Sequence, residues 1–364
     1  MTITLRPSNA YRWANCHAFP QFAENLPAQP DNDAAREGTA AAWVAEVVLT
    51  GDAHSCEDLV GRTHKNGWLI TEEMADDVQK YVNLIQKRGG VIGAEKFVTL
   101  SKDPLIEGTP DSNAHMVSEK LLYIDDLKYG YRVVEIYENW QLLIYGAAVL
   151  RTLPPGSVNL IQLAVYQPRA FHRDGIYRKW VIDVAELNHY VTMIIAAGRK
   201  CLAENPLATP GPWCRDCPVA SKCVAVINTA YSVIESIQSK HQRDMTVDEL
   251  AKMLDFIEFG DKIMKSVKTA VVAEAEQRIR NERIPGWWMK GATGHRKFTV
   301  PAATVQMLTG IDPYKKDIIT PAEAIRRGAN EDVVNQISEK QQIGHKLVKM
   351  TEQDIAAAFS RKDV

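Results

Sequence analysis

The sequence has little of anything that would place it in a special class. No apolar run approaches the ~20 residues that a membrane-spanning helix needs. The opening MTITLRPSNAYRW lacks the basic-then-apolar pattern of a secretory leader. Six cysteines in 364 residues are too few for a disulfide scaffold, which points to a reducing compartment. Neither charge sign dominates: 43 Lys and Arg stand against 45 Asp and Glu, a formal net charge of −2. A basic excess of the kind that coats nucleic acid is therefore missing. Internal repeats and low-complexity tracts are missing as well. What remains is ordinary: 46% hydrophobic and 24% charged residues mark a globular chain. At about 150 residues per domain, the length accommodates two domains.

The patterning predicts an α/β N-terminal half. DNDAAREGTAAAWVAEVVLT (31–50) opens with turn and cap residues and continues as an amphipathic helix. TEEMADDVQKYVNLIQKRGG reads as a second helix, with a Thr–Glu start and a glycine stop at Gly89 and Gly90. The period then changes to that of strands in EKFVTL, HMVSEKLLYIDDLKYG and SVNLIQLAVYQP, with the helix ENWQLLIYGAAVLRTL before the last. Residues 91–168 are expected to form a strand, a hairpin, a helix and a returning strand with mixed pairing. A further helix, VAELNHYVTMIIAAGRKCLAEN, leads into the cysteine-rich run. Beyond residue 228 long helices are expected, with Leu250, Leu254, Ile257, Met264, Val267, Val271 and Ala275 as a packing stripe. IPGWWMKGATGHRKF reads as a loop or hairpin, and 301–364 as helical. The expected division is 1–228 and 229–364.

Three of the cysteines are crowded. Cys214, Cys217 and Cys223 form a C-x2-C-x5-C run in GPWCRDCPVASKC. Such a turn brings two thiolates to one metal centre, and a third close behind can join them. A tetrahedral thiolate site needs a fourth ligand from elsewhere, and Cys16 in YRWANCHAF is the candidate. Zinc and an iron–sulfur cluster are both compatible with this spacing. Cys56 and Cys201 are read as structural.

The densest chemistry lies in EGTPDSNAHMVSEKLLYIDDLKYG. Asp111 follows Pro110 in a turn that leads into a strand, and Asp126 and Lys128 stand near the end of the next. In a hairpin of this length the start of one strand lies beside the end of the other, so Asp111 can meet Asp126. Alternation puts Asp126 and Lys128 on one face and turns Leu127 into the core. Paired carboxylates suit Mg²⁺ or Mn²⁺, and a lysine beside them can stabilise charge on a phosphate oxygen. Asp125 is read as a neighbouring surface acid.

GTPD followed by DLK resembles the PD-(D/E)xK nuclease signature, and Gln141 and Tyr145 in NWQLLIYG match the Q-x-x-x-Y helix motif of its RecB-type branch. An N-terminal cysteine with a later C-x2-C-x5-C resembles the iron–sulfur nucleases of that branch. The order of RWxxC, EGT, GTxD, DLKYG, NxQLxxYxxA, QPR and the cysteine run is similar to a phage and prophage family of this size. The resemblance implies a PD-(D/E)xK core of a mixed sheet flanked by helices, a cysteine-stapled lobe and a mostly helical C-terminal region. It further implies a metal-dependent DNA exonuclease acting in phage replication or recombination, in the cytoplasm of a bacterial host. Asp111 and Asp126, with the Leu127 carbonyl, would hold Mg²⁺ or Mn²⁺; Lys128 would act beside them, and Gln141 and Tyr145 would position. Cys16, Cys214, Cys217 and Cys223 would hold a [4Fe–4S] cluster, with Zn²⁺ as the alternative. A partner in such a system would be a phage single-strand annealing or replication protein, besides DNA itself.

The sequence departs from that pattern once. The metal-binding histidine usual after E-G-T is replaced by Ala42. Glu46 and Glu37 are candidate substitutes, Glu95 matches an acid often found at the entry to the first strand of these nucleases and is a further candidate metal ligand, and a catalytically silent DNA-end or partner-binding module is the competing reading. Arg169 and Arg173 around one strand turn, and Trp288, Lys290, Arg296 and Lys297 in the later hairpin, are candidate DNA contacts. A buried Trp pair with a solvated basic rim is the plainer alternative for the latter. The charge splits as 22 basic against 26 acidic residues over 1–228 and 21 against 19 over 229–364. That balance favours contact confined to a cleft over broad coating of DNA.

Overall fold

A computed structural model describes residues 3–24, 26, 33–215, 217–239, 246–311, 320–326 and 328–349. The helices are α1 (Ala10–Asn15), α2 (Phe19–Glu24), α3 (Asp33–Leu49), α4 (Glu72–Arg88), α5 (Trp140–Leu150), α6 (Val184–Cys201), α7 (Val224–Ser239), α8 (Val247–Arg278), α9 (Ala302–Thr309), α10 (Pro321–Arg326) and α11 (Glu331–Gln336). The strands are β1 (Val91–Ala94), β2 (Val98–Lys102), β3 (Leu105–Gly108), β4 (Ser112–Met116), β5 (Leu121–Leu127), β6 (Leu160–Tyr166), β7 (Tyr177–Asp183), β8 (Trp287–Phe298) and β9 (Ser338–Lys349). The fold is mixed α/β.

The central sheet has the order β1-β4-β5-β6-β7. Only β5 and β6 run parallel, with α5 as the crossover between them; the other pairs are antiparallel. Helices cover both faces. Even-numbered residues of β5, Leu122 and Ile124, pack under α5 residues such as Leu142 and Leu143 in the main core. On the other face Leu127, Tyr129 and Tyr166 join a second core built from α3 and α4, with Val44, Val78, Tyr81 and Val82. The caps follow the sequence signals: the Thr71 side chain accepts from Met74 N at the start of α4, and α4 ends at Gly89 with φ +73°.

Two expected elements are placed differently. EKFVTL does not enter the central sheet. Its strand, β2, pairs with β3 in a separate two-stranded sheet, and the central sheet instead begins with β1, immediately before Glu95. The C-terminal region is not all helical either. Ser338–Lys349 is a strand, antiparallel to Trp287–Phe298. The pairing is set across about 40 intervening residues, beyond what local periodicity reports.

The chain divides into two compact units, Met1–Val267 and Lys268–Val364, so the division falls inside α8 rather than after residue 228. In the first unit α8 buries Ile263 and packs Phe259 and Val267 against Cys214 and Val226. Leu254, Ile257 and Met264 of the expected stripe are exposed. Of the expected stripe Val267 packs, whereas Ile263, outside it, takes the fully buried place. Among the described residues no helix is long and apolar enough to cross a membrane.

Candidate active site

The hairpin β4–β5 brings the site together. Ser112 pairs with Asp125, so Asp111, one residue earlier, lies opposite the end of β5. Its carboxylate accepts a 2.7 Å hydrogen bond from the Leu127 backbone N–H. Asp126 has one oxygen 2.8 Å from Lys128 Nζ, and the other accepts from Gln141 Nε2 at 2.9 Å. Lys128 also donates to Gln141 Oε1 at 3.3 Å. Its backbone N–H donates to Tyr166 O at 2.9 Å, which extends the parallel ladder and holds the lysine beside the sheet edge. Gln141 stands in the first turn of α5, whose start is capped by Asn139 accepting from Leu142 N. Tyr145, one turn on, is buried on the same helix face. A Cβ on Gly108 would come within 2.8 Å of Pro7 and 3.3 Å of the Tyr145 ring, so glycine in GTPD lets that ring approach the site.

The electrostatics are those of crowded acids short of positive charge. Burial and the neighbouring Asp126 push the Asp111 carboxyl up to about 8, against the opposing pull of Lys128 and the Leu127 N–H. Glu95 is pushed up to about 7 by burial, Glu46 and Asp126. It lies next to the site with its N–H bonded to Asp111 O at 3.3 Å and its backbone at φ +47°. Burial alone would lower the Lys128 ammonium, but Asp126 and Asp111 raise it. Oxygen donors of this number and type suit a hard divalent cation. In the arrangement described, protein donors hold them instead, and among the described residues no group of three or more His, Cys, Asp or Glu is gathered closely enough to hold a metal ion.

Several residues go elsewhere. Asp125 is not a surface acid: it is 1% exposed, bonded bidentately to Arg88 at 2.5 and 3.1 Å, and accepts from the Tyr177 hydroxyl at 2.9 Å. Glu37 is 2.7 Å from Arg169, so the two candidate residues are paired with each other. The Arg169 guanidinium also lies 4.6 Å from the Tyr129 ring centroid and 4.1 Å from that of Tyr131. Arg173 remains exposed at the hairpin tip, 3.7 Å from Asp174. In the second unit Trp288 and Lys290 are exposed on β8, so Trp288 does not belong to a buried pair. The side chains of Arg296 and Lys297 lie outside the described residues. Gln167 enters the sequence reading only as part of QPR, yet its buried amide donates to Gly130 O and Arg132 O in the loop after Lys128.

Cys16, Cys214, Cys217 and Cys223 line one small pocket, together with Arg12, Phe19, Phe22 and Trp213. Cys16 arrives at the end of α1, where its N–H donates to Arg12 O at 2.7 Å. Gly211 must be a glycine, since a Cβ there would sit 2.3 Å from the Trp213 ring. Burial pushes the Cys214 thiol up to about 11 and raises that of Cys217. Four thiols with no carboxylate or imidazole are the ligand type that a thiophilic metal takes, although in this arrangement they are not gathered around one point. Cys201 and Cys56 are buried in the two cores.

The profile of the family named "Protein of unknown function (DUF2800)" matches residues 3–354. The chain belongs to this family. No curated protein matches it at a significant level. Among solved structures the chain is similar to the crystal structure of SSO0001, with 11% identity over 62% of this chain and 88% of that one and a TM-score of 0.31. A likeness that slight carries no argument.

Proposed function

We propose that this DUF2800 protein is a metal-dependent deoxyribonuclease with a PD-(D/E)xK core, acting as an exonuclease on phage DNA. The observation that carries the reading is the convergence of Asp111, Asp126, Lys128 and Gln141 at the carboxyl end of β5. Asp111, Asp126 and the Leu127 carbonyl would hold Mg²⁺ or Mn²⁺, with Glu95 as a further acid near them and Glu46 near Glu95. When bound, the ion supplies Lewis acidity to the phosphodiester and neutralises the charge that develops on phosphorus oxygens. Lys128 places a cation beside the same phosphate, at a point fixed by Asp126 and Gln141. Gln141 keeps the lysine and the carboxylate in register, and Tyr145 closes the apolar side of the site. Relief of the repulsion among Asp111, Asp126 and Glu95 favours cation binding over the protonated state.

The pocket thiols would hold a [4Fe–4S] cluster that ties the N-terminal segment to the chain after α6, with Zn²⁺ as the alternative occupant. Absorption in the visible separates the two. Cys217→Ser should lose colour and solubility together.

The test is an assay of anaerobically purified protein with Mn²⁺ on DNA labelled at either end. Cleavage that disappears in Lys128→Ala, with melting unchanged, supports the reading; no cleavage of single- or double-stranded DNA defeats it. A second reading, a silent DNA-end or partner-binding module, is favoured by Ala42 and by the protein donors that satisfy Asp111 and Asp126. Calorimetry that finds no Asp111-dependent Mn²⁺ binding selects it.

A further inference from the structure

We propose that the loops leaving the carboxyl ends of β5 and β6 form a stacking platform for the bases of single-stranded DNA, with Tyr131 and Phe171 as its aromatic faces. The proposal takes its DNA substrate from the nuclease reading and specifies which form of it the site accepts. Because β5 and β6 are parallel, both loops leave the same edge of the sheet, the edge that carries Lys128.

The loop after Lys128 is fastened from beneath by Gln167, a fully buried side chain. Its Nε2 donates to Gly130 O at 2.9 Å and to Arg132 O at 2.7 Å. Its Oε1 accepts from Val134 N at 3.1 Å and from Arg178 Nη2 at 2.8 Å. All four hydrogen-bonding sites of this amide are thus used, three of them on residues 130–134 and the fourth on Arg178, which also donates to Val134 O at 3.0 Å.

What the clamp holds up is a ring. Arg169 covers Tyr131 at 4.1 Å and donates to its hydroxyl, while Glu37 anchors the guanidinium. Backed in this way, Tyr131 is still 67% exposed. Phe171, two residues after Arg169, is 94% exposed. Scattered apolar side chains on a surface need no explanation; a ring backed by an anchored guanidinium, with a bare phenyl group on the other loop of the same sheet edge, is a different matter. Arg173 and Lys179 are exposed on the same hairpin, against Asp174, and supply positive charge for a backbone.

Chain geometry fixes the scale. Three residues span at most about 11 Å, so Tyr131 lies within that distance of Lys128 at Cα. With about 3.4 Å per nucleotide in a stacked strand, the ring addresses bases within roughly three nucleotides of a phosphate at the lysine. A duplex hides its base faces within its own stack; a single strand offers them to exposed rings.

The test measures binding of the full-length protein, without added divalent metal, to a labelled single strand, its blunt duplex and an RNA of the same sequence. Wild type should prefer the DNA strand. Phe171→Ala and Tyr131→Ala should each weaken strand binding within the ~5- to 150-fold range of one lost base–ring stack. Duplex affinity should stay unchanged, and Tyr131→Trp should restore strand binding. Phe171 packs on nothing that melting would report, so its loss of binding is not a folding defect. Equal affinity of wild type and Phe171→Ala for the strand, equal affinity of wild type for strand and duplex, or tighter binding of RNA overturns the proposal. Strand binding that survives alongside an absence of Mn²⁺-dependent cleavage would instead count against the nuclease reading alone.

Discussion

Asp125 and Asp126 are consecutive in the chain, and the two faces of β5 treat them in opposite ways. On the α4 face Asp125 is neutralised: Arg88 grips both oxygens and Tyr177 adds a third hydrogen bond. Gln162 in turn donates to the Tyr177 hydroxyl at 2.9 Å, and the Arg88 guanidinium lies 3.9 Å from the Tyr123 ring centroid. On the α5 face Asp126 shares one lysine with Asp111 and lies near Glu95, so negative charge outweighs positive. A buried acid with a matched cation is structure; acids left short of one are a site that awaits a cation. The difference separates a carboxylate matched to a cation from one that the proposed nuclease reading would use for chemistry, although both are almost fully buried.

That contrast can be broken from either side. Arg88→Ala leaves Asp125 buried without its cation and should cost about 3–5 kcal/mol of stability, the usual penalty for an orphaned buried charge. Denaturant titration reads it, and a loss under about 1 kcal/mol would remove the distinction. On the other face Asp126→Asn should lower cleavage by about 10²–10³-fold, as the loss of a preorganised electrostatic group does. Its unfolding midpoint should move far less than that of Arg88→Ala.

The third prediction concerns pH. The Asp111 carboxyl titrates near its ordinary 3.8 when unfolded and at about 8 when folded without metal. Between those values the folded state holds the extra proton, so stability falls as pH rises through the window and is flat outside it. Thermal melts of metal-free protein from pH 4 to pH 8 should show that decline, and Asp111→Asn should flatten it. Saturating Mn²⁺ should stabilise the protein more at the upper end than at the lower. The smallest effect belongs to Gln141→Ala. Loss of its bonds to Asp126 and Lys128 should cost about 1 kcal/mol of stability. It should also slow cleavage while leaving strand binding at the Tyr131 platform intact.

Much of this was legible in local patterns. A hairpin's register follows from strand length and turn position, so the meeting of Asp111 with the end of β5 could be read from spacing. Strand alternation placed Asp126 and Lys128 on one face, and helical spacing placed Gln141 and Tyr145 together. The opposite fate of Asp125 was not legible, because its partner Arg88 stands 37 residues earlier at the end of α4. Arg169 shows the same limit. A lone arginine in a basic segment reads as solvated, and only the folded chain brings Glu37 and two tyrosines around it.

The sequence by itself determined the α/β character of the first 200 residues, the central hairpin and the identity of the acids and the lysine at its end. Those depend on period, turn chemistry and separations of a few residues. Tertiary structure alone decided which acid is neutralised, that Cys16 lines one pocket with the thiols of the 214–223 run, and that Ser338–Lys349 pairs with Trp287–Phe298. Each of these is a contact between residues far apart in the chain, where loop closure and the matching of whole faces, rather than local preference, select the partner.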